Sequence, residues 1–190
     1  MPRWMSSLLA LTLLTAASAS ALAQERSHET IVVIPAPAPQ VWQALTTAEG
    51  WKRMGVKLVM MDFRIGGTIE TSYNDGAKAG DAGNIKNQVV AYIPGRMLAL
   101  RNTQAPPNFP YPGEFATTAT VFELAPVDAA STRVTATGVG YGTGAGYDWL
   151  IRMFQEGNAW SLNQLARSFA AGAAPDEAGT KAMTRQFERK

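Results

Sequence analysis

Histidine, cysteine, clustered acids and glycine-rich loops are where chemistry would first show, and this chain offers few of them. It has no cysteine and a single histidine, His28. Zinc and copper take their usual ligands from imidazole and thiolate, so a site of the common kinds would lack its donors. Thiol nucleophiles and disulfides are excluded as well. A Ser–His–Asp set would have to use His28, which begins a strand-like segment and reads as exposed. No serine stands in a G-x-S-x-G turn. Asp75 and Asp81 flank a glycine-rich loop but lack the alternating spacing of a calcium loop.

Gly140 to Ala145 (GYGTGA) fits the letters of a dinucleotide loop, G-x-G-x-x-A. Such a loop works between a strand and a helix of a parallel unit, with an acid about twenty residues on. Here no strand follows, and Trp160 stands where the acid should be. The segment reads instead as a strand-to-helix connection whose alternating glycines would let the helix shift. Paired carboxylates are the remaining acid–base route. The candidates are Asp62, Glu70 and Glu114, all on strand-like segments where a solvated or ion-paired acid is the ordinary case.

The element that must position any site is the run Tyr147 to Gly172. Leu150, Met153, Phe154, Gly157, Trp160, Leu165 and Phe169 recur at steps of three and four, with Arg152, Gln155, Glu156, Asn163 and Arg167 between them. That period predicts one long amphipathic helix, stopped near Gly172. So much aromatic and sulfur surface needs a cover.

The preceding chain supplies it. His28–Pro35 reads as a strand. Pro39 opens a short helix to Leu45, the Thr47–Gly50 segment breaks it, and Trp51–Met54 forms a second short turn. Six strand candidates follow: 57–63, 68–73, 84–92, 96–102, 114–124 and 132–139, punctuated by Asn74-Asp75-Gly76 and Pro94-Gly95. Short turns between strands predict an antiparallel meander. Glu123, Arg133, Thr135 and Thr137 alternate with Phe122, Leu124, Val134 and Ala136, so one sheet face is covered and the other wet. The loop Gln104–Gly113 carries four prolines. It reads as packed down by Phe109 and Tyr111, with a lid over a pocket mouth as the functional alternative.

The first 23 residues have a different character. Arg3, the apolar run Leu8–Leu14 and the ending Ala21-Leu22-Ala23 predict a secretory leader cleaved after Ala23. Residues 24–172 then form one domain, and 173–190 a polar, flexible tail. The mature chain would be periplasmic or secreted and soluble, with no membrane span. Without Arg3 the 17 basic residues fall to 16, against 15 acids, and no basic stripe argues for nucleic acid.

Taken in order, these segments resemble the SRPBCC (START/Bet v-like) superfamily, and within it the group related to activators of the heat-shock-protein ATPase. IPAPAPQVWQALTTAEGWKRM is similar to that group's opening. Asp62-Phe63-Arg64-Ile65-Gly66-Gly67 is similar to its D-x-R-x-G-G segment, and Gly83–Leu100, with Pro94-Gly95-Arg96-Met97-Leu98, to its second hairpin. Thr132-Arg133-Val134-Thr135 resembles its T-R-hydrophobic-T strand, and Trp160 with Leu165 its final helix. The likeness runs from about residue 30 to 170. The leader-like start is a departure from the cytosolic members.

The resemblance implies an α+β helix-grip fold: a curved antiparallel sheet of about seven strands around a long C-terminal helix, two short helices after the first strand, and an apolar cavity on the order of 300–1,000 Å³. Met153, Phe154, Gly157 and Trp160 would line it from the helix. Tyr92, Leu100, Thr118, Thr120 and Phe122 would line it from the sheet, with Arg64 or Arg101 as anion anchors. A one-residue slip would swap the sheet residues to the other face. The leading reading is an exported, cofactor-free binding protein for a small apolar or amphipathic molecule. A cyclase- or dehydratase-like enzyme in the same cavity and a protein-interaction or envelope-stress partner using an exposed apolar patch such as Phe109–Tyr111 and the tail are the alternatives.

Overall fold

A computed structural model describes residues 26–170 and, beyond them, positions 178, 179, 181 and 185. The expected leader, residues 1–23, and nearly all of residues 173–190 lie outside the described residues. Seven strands form one antiparallel sheet: β1 (Arg26–Ile34), β2 (Leu58–Met61), β3 (Thr68–Ser72), β4 (Ile85–Ile93), β5 (Met97–Gln104), β6 (Ala119–Pro126) and β7 (Thr132–Tyr141). Their spatial order is β1-β7-β6-β5-β4-β3-β2. Apart from the β1–β7 pairing, every neighbour in space is a neighbour in sequence.

Helices α1 (Ala38–Leu45) and α2 (Ala48–Arg53) follow β1, and α4 (Ala145–Phe169) packs on the concave face. The predicted break at Thr47–Gly50 is narrower than expected. Thr47 caps α2 by accepting from the Gly50 amide at 3.2 Å, and Gly50 lets the two helices touch. A Cβ there would lie 1.9 Å from the Ala44 carbonyl oxygen. The long helix ends at Phe169 rather than near Gly172.

A further expectation needs correcting. Residues 114–124 are not one strand. Pro112–Thr117 is a short helix, α3, and β6 begins only at Ala119. Proline at the start of α3 supplies a ready-made helical φ, which outweighs the extended character of the threonines behind it. The loop before α3 lies against the body: Phe109 is 4% exposed and packs edge-on against Phe115 and Trp149.

The apolar interior has two parts. The larger joins α1, the middle of the sheet and the end of α4 through Ile34, Leu45, Ile69, Leu98, Val134 and Leu165. The smaller joins the 104–117 segment to the start of α4 through Phe109, Phe115, Tyr141, Leu150 and Met153. Beside it sits His28, which is 6% exposed rather than open to solvent. It occupies an inward position of β1, its Nε2 is 3.1 Å from the Tyr141 hydroxyl, and its ring stacks on Phe154. Gly138 makes the room, since a Cβ there would fall 2.2 Å from Nε2.

Burial pushes the His28 pKa below its ordinary value, because the charged imidazolium would be desolvated. Its Nδ1 is enclosed without a partner. The unfolded chain therefore takes up a proton at higher pH than the folded one. Stability is undiminished above about pH 6.5 and declines as pH falls towards the folded pKa. Melting temperature should fall between about pH 7.5 and 5.5 in the native protein, and His28→Phe should flatten that slope; circular-dichroism melts at a series of pH values check this.

Candidate functional site

Where the two apolar parts meet, α4 does not close on the sheet. A partly open cavity of about 120 Å³ lies between them. From α4 it is lined by Met153, Phe154, Gly157, Asn158, Ser161 and Leu162, one stripe at helical spacing. Gly157 is in the middle of that stripe and contributes no side chain. The opposite wall is Leu100 and Asn102 of β5 with Thr120 and Phe122 of β6, where Leu100 and Thr120 are cross-strand partners. Thr71, Tyr73, Ile85 and Asn87 form one side. Trp51, Met54 and Val56, from α2 and the turn after it, form the end.

The volume is smaller than the fold alone suggested, because Trp51, Tyr73, Phe115, Phe122 and Phe154 project into the same space. It is close to the roughly 150 Å³ that accepts one benzene ring. The lining contains no charged side chain.

The structure brings together six of the residues singled out from sequence: Met153, Phe154, Gly157, Leu100, Thr120 and Phe122. Five others stand elsewhere. Arg101 follows inward Leu100 directly, so the pleat turns it outward, where it is exposed. Arg64 lies between β2 and β3 and pairs with Asp62 at 2.9 Å, its side chain 69% exposed. Neither arginine is part of the cavity lining. Tyr92 has the far end of the concave face, against Trp42 and Phe63 under α1. Trp160 lies one step round the helix from the lining stripe. Its indole covers Gly55, where a Cβ would meet it at 2.2 Å, and it packs edge-on against Tyr73. Thr118 faces inward but is roofed by Asn102, to which it is hydrogen-bonded.

The three candidate acids are also outside the lining. Asp62 is held by Arg64. Glu70 accepts from the Gly80 amide and from Asn84 Nδ2, at 2.7 and 2.6 Å, and pins the loop between β3 and β4. The Asn84 bond, joined by the Gly80 amide, holds its pKa below the usual range. Glu114 is on α3, beside Gly146. The glycine run Gly140–Ala145 joins antiparallel β7 to α4, the Tyr141 side chain is buried, and no nucleotide cradle is formed.

What sequence reasoning missed is the polar half of the wall: Tyr73, Asn87, Asn102, Asn158 and Ser161. The signal was present. Asn102 is two residues from Leu100, and Asn158 and Ser161 each stand four residues past the inward Phe154 and Gly157. Asparagine on an otherwise apolar face needs a reason. Three side chains here form a chain of hydrogen bonds. Asn87 Nδ2 donates to Asn102 Oδ1 at 2.6 Å. Asn102 Nδ2 donates to Thr118 Oγ1 at 2.7 Å, and that hydroxyl donates to the Phe115 carbonyl at 2.8 Å. Tyr73 is bonded to Ser161, but its phenol pKa is raised, because enclosure disfavours the phenolate.

Comparison with known proteins now adds the lineage. Residues 35–170 match the family model described as activator of Hsp90 ATPase homolog 1-like protein. The chain belongs to this family. Among solved structures it is similar to the Aha1 dimer from Colwellia psychrerythraea, with 20% identity and a TM-score of 0.62 over 78% of this chain and 99% of that one. It is similar to a Mesorhizobium loti protein at 16% identity and a TM-score of 0.60, over 78% and 100% of the two chains. It also resembles the Zhui aromatase/cyclase from Streptomyces sp. R1128 at 18% identity and a TM-score of 0.56, covering 79% and 99%. Likeness at this identity establishes the helix-grip fold. No curated protein sequence matches the chain.

Gly157 gives the cavity a direct handle. Alanine there should stabilise α4 by about 1 kcal/mol through helix propensity, while leucine should fill the hollow at the middle of the stripe. Both variants should fold in thermal melts. Binding of single-ring compounds, measured by ligand-observed NMR, should weaken in Gly157→Ala and vanish in Gly157→Leu.

Proposed function

We propose that this protein binds a small, uncharged, mostly apolar molecule of about one ring in size, held non-covalently between the sheet and α4. One observation carries the proposal: the cavity has an apolar body, a cluster of neutral hydrogen-bonding groups and no charge in its lining. Cavities of this make-up suit ligands that are buried by apolar contact and oriented by a few polar groups. A carboxylate or ammonium would be desolvated here with no opposite charge to meet it. Within the same reading the chain acts outside the cytoplasm. The supporting feature is the leader-like sequence up to Ala23.

The cyclase-like alternative has one specific support, the presence of Tyr73 at the wall, together with the fold shared with an aromatase/cyclase. With its pKa raised, Tyr73 remains protonated at neutral pH. It is a hydrogen-bond or proton donor rather than a base. Of the surface the protein-docking alternative relied on, Phe109 is covered and Tyr111 packs against Trp149, which counts against that part of it; the tail lies almost wholly outside the described residues.

A fragment screen by ligand-observed NMR and thermal shift tests the proposal. Neutral single-ring compounds should bind and raise the melting temperature, and long-chain fatty acids should do neither. Absence of any hit among neutral rings would contradict it. Mass spectrometry of protein secreted by a bacterial host should show a new N-terminus at Gln24; an intact leader in active export conditions would remove the extracytoplasmic part.

A further inference from the structure

Resting on the cavity reading, we infer that the ligand carries both a hydrogen-bond acceptor and a hydrogen-bond donor, as a carboxamide or lactam on a ring does. Asn158 donates to it and Asn87 accepts from it.

The polarity follows from the order of the bonds. A backbone carbonyl can only accept, so the Thr118 hydroxyl must give its proton to Phe115. Its oxygen is then the acceptor for Asn102, which fixes the Asn102 nitrogen towards Thr118. Asn102 therefore turns its oxygen to Asn87, and Asn87 must answer with its nitrogen. The last group of the chain is the Asn87 Oδ1, an acceptor at the cavity wall. Nothing in this sequence of bonds allows either amide to be reversed without placing two donors or two acceptors face to face. Bonds in such a chain also polarise one another, which strengthens the terminal acceptor. Cross-strand pairing of Asn87 with Asn102 sets the two amides side by side.

The donor is on the helix. Asn158 lines the same cavity, and its Nδ2 is enclosed with no hydrogen-bond partner. A buried amide nitrogen is expected to be satisfied, and a ligand in the cavity that Asn158 lines would supply the missing partner after a small turn of its side chain. Asn102 touches neither ligand group directly and acts as a positioning residue for Asn87. Apart from the Thr71 and Thr120 hydroxyls, the remaining lining is apolar or already bonded, so the ring is held by contact and the polar group by Asn158 and Asn87. A molecule with no polar group leaves both amides unmet, and a carboxylate offers no donor and brings a charge.

Three probes of similar size separate the cases: benzamide, benzoate and toluene, titrated by NMR against the purified protein. Benzamide should bind about tenfold more tightly than toluene, the worth of one to two hydrogen bonds, and benzoate should show no saturable binding. Asn158→Leu and Asn87→Leu should each remove the preference for benzamide while leaving toluene affinity equal or higher, with folding checked by thermal melts. Asn102→Leu should lower the benzamide-to-toluene ratio without weakening toluene, which a merely structural defect would not do. Toluene binding as tightly as benzamide would overturn this inference and leave the cavity reading standing. Failure of all three probes in the native protein would overturn both. The native comparison decides the matter even if a variant does not fold.

Discussion

One helix has to cover a seven-stranded sheet, and its covering stripe is not uniformly large. At both ends α4 meets the sheet with bulky side chains: Leu150 and Met153 towards the start, Leu162 and Leu165 towards the end. Between them come Gly157, Asn158 and Ser161, which are too small or too polar to reach across. Strong packing at two ends with a short span of small residues between them leaves a gap that neither apolar cluster can close alone. The two clusters, the cavity at their seam and the polar groups facing it all follow from that arrangement. Close packing makes such a gap costly for its lining, which loses contacts on one side. A hollow maintained in this way is a feature to be explained by what enters it.

The sheet contributes selectivity more than volume. Curvature brings β3, β4, β5 and β6 round the same space, and register decides which residues look in. Leu100 and Thr120 stand opposite each other, as do Asn87 and Asn102. α3 closes the chain of amides by offering the Phe115 carbonyl. The short helix therefore does two things: its Phe115 ring fills part of the hollow, and its backbone fixes the direction of every hydrogen bond down to Asn87. Charge is kept to the outer surface, where Arg64 and Asp62 meet in a solvated pair of little energetic consequence.

The fold was legible because its signals are periodic. The three-and-four spacing from Leu150 to Phe169 marked α4, and regular turns marked the meander. The ends of elements were less so. Proline at position 112 started a helix in a stretch whose threonines read as strand, and the helix stop moved from Gly172 to Phe169 because the cap lies in backbone geometry rather than in residue type. For the site, helix positions at the centre of the stripe were readable, while Trp160 at its margin was not. Its place depends on Gly55, more than a hundred residues earlier in the chain. Parity within β5 admitted Leu100 and excluded Arg101, a distinction that sequence alone leaves to the register. His28 was read as exposed from its position at a strand start. The pairing of β1 with β7, which puts Gly138 beneath the ring, is a long-range fact.

A crystal structure of the protein under xenon pressure tests the central claim most directly. Xenon settles in pre-formed apolar hollows, so the account predicts a strong peak bounded by Leu100, Phe122, Met153 and Gly157, with α4 unmoved. An empty map at that position, with side chains from the sheet and α4 in contact across it, would contradict it.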